Sequence, residues 1–367
     1  MGNCVSTNTS CSLTPIQTDA HSTNAVHRIP ALIYIEENKT FLAFAEKRTS
    51  LNDVDAKNLV MKRGIKQNES IKWSPLQELP KAGLKGYRTM NPCPVYEKSS
   101  KTVFLFFICV FGKVTEMEQI DSRKNRARLC YVFSQDGGNS WSETTDLTEA
   151  VIGKEIKNWA TFAVGPGHGI QMSSNRLIIP AYMYYITCCG VKPYAFAFYS
   201  DDSGKSWHYG EKLSKPSLEC EMAEITDDTG NKILYCNARS TKGYRVEAWS
   251  KDQGNTFEAS DNCKLVESGN GCQGSVVSFT DKQNKSCLLY SHTTDKCKRL
   301  NLGIYHNKTP LEPNGWSKPK IINSGLSGYS DSAQSGDKYF CLMERGTNDL
   351  EEICFMEFSL DEIMKGK

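Results

Sequence analysis

The chain has 367 residues, 39% of them hydrophobic, and a formal net charge of +2 at pH 7. The apolar fraction is sufficient for a core, and a near-neutral charge without runs of like charge argues against a nucleic-acid partner. The longest strongly apolar stretch, residues 103–111, is too short to cross a bilayer.

The first residues carry a lipidation signal. Residues 1–6 fit the pattern M-G-x-x-x-[S/T], which predicts a myristoyl group on Gly2, and Cys4 is available for a palmitoyl group. One acyl chain anchors a protein only marginally, whereas two hold it firmly. We therefore expect a peripheral membrane protein at the plasma membrane or an endomembrane, with a cytoplasmic location as the alternative.

The first 25 residues are polar and lack the apolar centre of a secretory signal, so export is not expected. The 15 cysteines show no metal-binding spacing, and we expect them to be reduced thiols in the cytosol. We expect residues 1–24 to be a flexible segment and residues 25–367 to form a single folded domain.

Short apolar runs separated by Gly-, Asn-, Asp- and Ser-rich turns follow along the chain, and they predict many antiparallel strands. The runs are residues 31–35, 41–45, 103–110, 177–180, 232–236, 275–279, 287–292, 339–343 and 353–358. Helix is expected to be sparse, with one or two capped turns at residues 359–364.

One motif, S-x-D-x-G-x-[S/T]-aromatic, occurs at residues 134–141, 200–207 and 250–257. Its Asp and Ser side chains are suited to hydrogen bonds with the local backbone, and its Gly supplies a positive φ. The aromatic residue is expected to pack under the turn. We therefore interpret the three aspartates, Asp136, Asp202 and Asp252, as turn residues.

The aromatic anchors of these motifs extend into a longer series that includes Trp73 and Trp316. Their spacing, roughly 60 residues, leaves room for about six units in the chain. A repeated unit of this size is typical of a radial array of small sheets. The sequence therefore predicts an all-β fold, a six-bladed β-propeller.

Three arginines stand at predicted strand ends: Arg28, Arg239 and Arg299. A propeller brings strand ends from separate blades around one axis, so these side chains are expected to meet in one cationic pocket. Guanidinium groups bind carboxylates through charge-assisted, often bidentate, hydrogen bonds. The pattern therefore predicts a site for an acidic ligand.

The chain resembles the animal exo-α-sialidase (neuraminidase) family over about residues 28–358. The resemblance rests on the Arg28-Ile-Pro opening, the three Asp-containing turns, Asn-Ala-Arg239 and Gly-Tyr329-Ser-Asp331. Further stretches are similar to the plasma-membrane, ganglioside-cleaving type; they are residues 43–48, 88–94, 159–170, 180–185 and 271–275. The chain departs from the family in having His27 before the opening arginine and Phe257 where Trp is commoner. The region after Tyr290 is short and lacks the long insertion of the mammalian membrane-type relatives.

The resemblance implies catalytic roles for three residues. Tyr329 would be the nucleophile, Glu219 its general base, and Asp53 the acid/base for the leaving group and the water. It also implies a clamp on the sialic-acid carboxylate, formed by Arg28, Arg239 and Arg299 with Glu344 bracing Arg28.

Further substrate contacts follow from the same resemblance. Those near the N-acetyl and O4 groups would be Arg48, Met90 and Asn91. Those near the glycerol tail or the aglycone would be Glu116, Tyr182, Tyr184 and Gln273. No cofactor and no metal ion are implied.

Several acidic assignments have neighbouring alternatives: Asp55 for Asp53, Glu221 or Glu224 for Glu219, and Glu118 for Glu116. In an extended loop, Asp53 and Asp55 would point in opposite directions. The Glu219-Cys pairing favours Glu219 over its neighbours. The tyrosine run at 182–185 is expected to be partly core.

A tyrosine nucleophile is chemically reasonable for this substrate class. The carboxylate of a sialic acid sits on the anomeric carbon and would repel a carboxylate nucleophile, which most retaining glycosidases use. A neutral phenol avoids that repulsion, but it needs a neighbouring base and cationic surroundings to become reactive.

The resemblance thus implies a retaining exo-α-sialidase that acts on gangliosides, sialoglycoproteins and sialylated oligosaccharides. A non-catalytic, lectin-like propeller is the alternative from a different class, and it would need the arginines without the tyrosine and its base. A trans-sialidase would further need an acceptor site, for which the sequence shows no signal.

Overall fold

The computed structural model describes residues 14–15, 25–68, 70–312, 314–350 and 352–364. Hydrogen bonds connect the strands of this part of the chain into five antiparallel sheets. The described part begins with β1 (Thr14–Pro15). Gly2 and Cys4, the predicted lipidation sites, lie outside the described residues.

Four sheets follow one another along the chain. The first contains β2 (Val26–Ile35), β3 (Thr40–Arg48), β4 (Ala56–Gln67), β5 (Ser70–Trp73) and β6 (Gln77–Glu78). The second contains β7 (Tyr87–Glu97), β8 (Thr102–Phe111), β9 (Ala127–Ser134) and β10 (Thr145–Asp146). The third contains β11 (Trp159–Val164), β12 (Ile170–Gln171), β13 (Leu177–Thr187), β14 (Gly190–Ser200) and β15 (His208–Tyr209). The fourth contains β16 (Cys220–Thr226), β17 (Lys232–Ala238), β18 (Val246–Ser250) and β19 (Glu258–Ala259).

The fifth sheet has seven strands and includes β1 at one edge. Its others are β20 (Ser275–Thr280), β21 (Ser286–Thr293), β22 (Leu300–Asn307), β23 (Lys320–Ser335), β24 (Lys338–Arg345) and β25 (Glu352–Ser359). The long β23 pairs with β22 through residues 320–326 and with β24 through residues 327–335. Because one strand joins two groups, the sheets number five, and the expected six blades are not confirmed by this count.

Helical segments are short in the described residues. They are α1 (Glu116–Ser122), α2 (Leu360–Met364), the 3-10 helices Glu36–Asn38, Asp53–Asp55 and Ile156–Asn158, and one π-helical turn, Thr148–Ile152. α2 lies in the segment where capped turns were predicted, and Ser359 caps it by accepting a hydrogen bond from the backbone of Glu362. α1 was not predicted.

The strands β2, β7, β11, β16, β20 and β23 pack against one another near the middle of the molecule. β7 contacts β2 and β11, while β23 contacts β2 and β20, and β20 contacts β16. The predicted apolar runs all lie within observed strands. The fold is therefore all-β and propeller-like, and its innermost strands surround a common hub.

The three repeated turns have the predicted internal hydrogen bonds. In the second copy, Asp202 accepts hydrogen bonds from the Ser206 amide at 2.8 Å and from the hydroxyls of Ser200 and Ser206 at 2.8 and 2.6 Å. Gly204 has a φ of 87°, and a Cβ there would lie 2.3 Å from the ring of Phe104. Asp136 and Asp252 accept equivalent bonds in their own turns.

The aromatic residue of the motif packs across to the preceding sheet. The Trp207 ring meets Phe106 of the second sheet edge-on at 4.6 Å, and the Trp141 ring meets Phe44 of the first sheet at 5.9 Å. Edge-to-face aromatic pairs of this kind stabilise the folded protein by more than the burial of their apolar area alone. These two turns thus join neighbouring sheets as well as closing their own.

Replacing Asp202 by Ala should lower the free energy of unfolding by about 1 kcal/mol, because several turn donors lose their acceptor. Burial alone would raise the pKa of Asp202, but the Ser206 and Ser200 hydrogen bonds lower it to about 2. The stabilisation is therefore complete above the unfolded pKa and lost as the pH falls towards 2. Thermal melts at pH 7 and pH 3 test this. Lys205→Ala, on the same exposed turn, is the control, and an unchanged melting temperature for Asp202→Ala at pH 7 would contradict the assignment.

Candidate active site

A cavity of about 650 Å³ opens at one end of the hub. Its wall includes all but two of the residues predicted for the site. These are Arg28, Arg48, Asp53, Met90, Asn91, Glu116, Tyr182, Tyr184, Glu219, Arg239, Arg299 and Tyr329. The exceptions are Glu344 and Gln273.

The direction of the strands explains why these residues meet. Innermost strands begin at the cavity, so Arg28 lies near the start of β2 and Glu219 immediately precedes β16. The strands paired with them end there, so Arg48 is the last residue of β3 and Arg239 directly follows β17. One end of the hub therefore collects side chains from distant parts of the sequence.

Tyr329, Glu219 and Arg239 form a hydrogen-bonded group. The Tyr329 hydroxyl lies 2.5 Å from Glu219 Oε1, and Arg239 Nη1 donates to Glu219 Oε2 at 2.7 Å and to the Tyr329 oxygen at 3.0 Å. Burial and then Glu219 raise the pKa of Tyr329 well above its ordinary value, against the opposing effect of Arg239 and Arg299. The phenol is therefore protonated at neutral pH, and its hydroxyl donates a hydrogen bond to the Glu219 carboxylate.

Glu344 holds Arg28 and the backbone of Tyr329 together. Its carboxylate accepts from Arg28 Nε at 2.6 Å and Nη2 at 3.1 Å, as predicted, and also from the amides of Ile29 at 2.8 Å and Tyr329 at 2.9 Å. Burial alone would raise the pKa of Glu344, but Arg28 and the two amides lower it below its ordinary value. Glu344 is therefore a charged residue behind the cavity wall that fixes the positions of Arg28 and Tyr329.

Ile29 adopts a left-handed backbone conformation with a φ of 63°. This is a strained conformation for a β-branched residue and persists only where the surroundings enforce it. Here the enforcing contacts are the Glu344 hydrogen bond and packing against Cys272 and Tyr329. Ile29 lies where the pairing of β2 with β3 shifts register, between Arg28 and Ala31.

Arg299 completes the cationic side of the cavity. Its Nη2 donates to the Gly271 carbonyl at 2.9 Å, and its guanidinium carbon lies 5.2 Å from the centre of the Tyr329 ring. The structure therefore brings the three predicted arginines to one wall, around the hydroxyl of one tyrosine.

Asp53 also lies on the cavity wall and is 73% exposed. Arg48 Nη1 donates to it at 2.7 Å, while the same guanidinium, 1% exposed, also pairs with the buried Glu46. Asp53 begins a 3-10 helix, so the expectation of an extended loop was wrong. Asp55 instead accepts from the Ser50 hydroxyl and pairs with Lys113.

Glu116 is the first residue of α1 and faces two tyrosines. The hydroxyl of Tyr184 donates to it at 3.1 Å, and that of Tyr182 lies 3.5 Å away. Burial raises the pKa of Glu116, and the Tyr184 bond partly offsets this. The alternative, Glu118, forms the capping box of α1 with Thr115.

Gln273 lies behind the wall, where its position does not support the expected contact with the glycerol tail or aglycone. Its amide nitrogen donates to Glu221 and to the Pro166 carbonyl, and its oxygen accepts from the Ser330 amide. These hydrogen bonds hold the side chain within the hub, away from the cavity. Sequence spacing alone could not separate a wall residue from one a layer deeper.

Glu221, an alternative to Glu219, belongs to a second buried group with His168 and Asp331. Their ligand-type atoms lie within 4.8 Å of one another, close enough to surround a metal ion. All three already take part in internal bonds: His168 with Asp331 at 2.7 Å, Gln273 with Glu221, and the Leu32 amide with Asp331. We interpret the group as a structural network of the hub.

The sequence reasoning did not assign roles to two charged residues at the site. Arg88 lines the cavity and donates to the carbonyls of Gly112 and Val114, which fixes the segment before α1. Glu46 accepts from the Asn91 amide at 2.7 Å and pairs with Arg48. The alternation along β3 that places Glu46 and Arg48 on one face was the available signal.

A model of the BNR repeat-like domain matches residues 39–342. The chain is 48% identical to Sialidase-3 of Mus musculus over 92% of each chain. It is 46% identical to Sialidase-3 of Homo sapiens, over 97% of this chain and 94% of that protein. The chain belongs to the sialidase family. It is an exo-sialidase, a glycoside hydrolase.

The solved structure of a Hadza microbial sialidase shares the fold of this sialidase. The two superpose with a TM-score of 0.78 at 19% identity, over 96% of this chain and 69% of that one. None of the helices in the described part of the chain is long and apolar enough to span a membrane.

Replacing Glu344 by Gln should lower kcat/KM for a sialoside at least tenfold, chiefly through a higher KM, because Arg28 loses its ion pair and its fixed direction. Steady-state kinetics on a fluorogenic sialoside measure the effect. Glu352→Gln is the matched control, since Glu352 pairs with Arg345 on the neighbouring strand, and it should stay within about twofold. Equal effects of the two substitutions would contradict the anchoring role.

Proposed function

We propose that this sialidase hydrolyses terminal α-sialosides with net retention, using Tyr329 as the nucleophile. The observation that supports this most directly is the 2.5 Å contact between the Tyr329 hydroxyl and Glu219, beside Arg239. A lectin-like protein would need the arginines but would have no use for a phenol paired with a base. Arg28, Arg239 and Arg299 would hold the substrate carboxylate.

In the first step the Tyr329 oxygen attacks the anomeric carbon while its proton passes to Glu219. Asp53, in its protonated form, donates its proton to the departing aglycone oxygen, so a covalent sialosyl-tyrosine forms as the glycosidic bond breaks. In the second step Asp53 accepts a proton from a water molecule that attacks the same carbon. Tyr329 leaves and recovers its proton from Glu219. Two displacements restore the original configuration.

The charges on the cavity wall suit these two reaction steps. A phenol carries no charge as it approaches the carboxylated carbon, and the high pKa of Tyr329 keeps it neutral until the base removes its proton. Arg239 and Arg299 then stabilise the negative charge that develops on the oxygen. In this way the same two guanidinium groups would serve the substrate and the nucleophile.

We further propose that gangliosides, presented at a membrane surface, are among the substrates, with sialoglycoproteins and oligosaccharides as others. Exposed apolar side chains on and beside the cavity wall support this: Met117 on the wall is 62% exposed, and Phe111, which follows the wall residue Val110, is 51% exposed. Lys113 between them is also exposed. A rim of apolar and basic groups suits a lipid surface with anionic headgroups.

We also propose that residues 25–367 form one domain of six blades. The support is the division of pairing along β23, whose first half bonds to β22 and second half to β24. Counted at that division, the seven-stranded sheet supplies two blades. The remaining four sheets supply the others.

Tyr329→Phe should reduce kcat by roughly 10²–10⁴-fold, since the attacking oxygen is lost while the arginine clamp remains. Binding of an unsaturated sialic-acid inhibitor, measured by calorimetry, should change by less than about threefold, because the ring stays in place. Tyr209→Phe, outside the cavity wall, is the control. A variant that hydrolysed a fluorogenic sialoside at the parent rate would rule out Tyr329 as the nucleophile.

Gly2→Ala should move most of the protein from the membrane fraction to the soluble fraction of expressing cells, because it removes the acceptor of the proposed myristoyl group. Fractionation followed by immunoblotting measures this. Val5→Ala changes a position that the acylation pattern leaves free, and it should fractionate like the parent. Identical fractionation of all three proteins would exclude acylation at Gly2 as the anchor.

A further inference from the structure

Two arginines of the clamp are held by one loop. Residues 267–273, between β19 and β20, present consecutive carbonyl groups towards the cavity. The Asn270 carbonyl accepts from Arg239 Nη2 at 3.2 Å, and the Gly271 carbonyl accepts from Arg299 Nη2 at 2.9 Å. Since the two arginines come from different sheets, the position of this loop sets the angle between them.

Contact between the loop and Arg239 is close. Gly271 has a φ of 94°, and a Cβ at this position would lie 2.5 Å from Arg239 Nε and 2.6 Å from the Ser240 carbonyl. The glycine therefore lets the guanidinium lie directly against the loop backbone.

A fully buried carboxylate shapes the loop from behind. Glu267 accepts backbone hydrogen bonds from Ser268 and Cys272, both at 3.0 Å, and from Ser240 at 3.1 Å. Ser240 directly follows Arg239, so Glu267 ties the loop to the strand end that carries that arginine. Three backbone donors from two segments thus converge on one side chain.

Arg245 balances the charge of Glu267 and adds a second tie. Its Nη1 lies 2.7 Å from Glu267 and 2.6 Å from the Cys272 carbonyl, and its Nε donates to Asn237 at 2.7 Å. His292 Nε2 lies 3.0 Å from Glu267 on the other side. Burying an ion pair is costly and seldom adds stability by itself, which favours a role in fixing geometry.

We infer that Arg245 and Glu267 are positioning residues for the carboxylate clamp: they fix the loop whose carbonyl groups orient Arg239 and Arg299. Both are fully buried outside the cavity wall, so they act through the loop. The inference rests on the proposed function, because it takes the clamp as the site of the sialic-acid carboxylate. The expected effect of the two residues is a higher affinity for a ligand that carries a carboxylate than for its neutral analogue.

The test compares two ligands that differ only in that charge, the 2,3-unsaturated sialic acid and its neutral methyl ester. Dissociation constants for both are measured by calorimetry on the full-length protein and on Glu267→Gln, with thermal melts to verify folding. The variant should bind the acid about tenfold more weakly or worse, as expected when charge-assisted bonds are misaligned. Its affinity for the ester should change less than about threefold.

Two further variants keep the test decisive if Glu267→Gln does not fold. Arg245→Lys keeps the charge but not the forked geometry, and Gly271→Ala pushes against Arg239 directly; both should lose affinity for the acid selectively. Asp146→Asn is the matched control, since Asp146 pairs with Arg128 on the second sheet, and it should bind both ligands normally. Parent-like discrimination in the folded variants, or equal losses for acid and ester, would overturn the inference. A parent protein that does not prefer the acid would instead refute the proposed clamp.

Discussion

The site depends on carboxylates that are paired with the arginines of the cavity wall. Glu344 holds Arg28, Glu46 holds Arg48, and Glu219 holds Arg239. A guanidinium group without such a partner would be costly to bury and free to turn, whereas a paired one keeps a fixed direction. Arg28 is paired with its carboxylate through Nε and Nη2, which leaves its Nη1 for an anionic ligand, whereas Arg48 uses its whole fork on Glu46, Asp53 and the Leu51 carbonyl. The cavity is thereby organised before a ligand arrives.

The propeller-like fold makes such a site possible with short connections. Innermost strands start at the cavity and their partners end there, so residues as far apart in sequence as Arg28 and Glu344 become neighbours. The Asp-containing turns help to hold the arrangement, since the rings of Trp141 and Trp207 pack on the preceding sheets. Packing at these turns therefore helps to stabilise the contacts between neighbouring sheets.

Patterns with a local cause could be predicted from the sequence. The repeated turns were recognisable because their hydrogen bonds stay within a few residues, and the strands because their side chains alternate. The cap of α1 by Thr115 and Glu118 is equally local and was overlooked. Local patterns could not show how far a side chain lies from the cavity. Gln273 and Tyr329 both belong to the hub, but Gln273 is buried behind the wall and Tyr329 lies on it. Only the packing of the six innermost strands decides this difference. The 3-10 turn at Asp53 was also missed, although Arg48, which donates to Asp53, lies only five residues before it.

Ile29 combines a strained backbone conformation with a buried side chain. A glycine at this position would relieve the backbone strain but would leave a cavity in place of a buried side chain. The isoleucine side chain, however, fills the space beside Cys272 and Tyr329. The packing of this side chain thus offsets the strain of the backbone that carries it, and the residue that follows Arg28 keeps a single conformation.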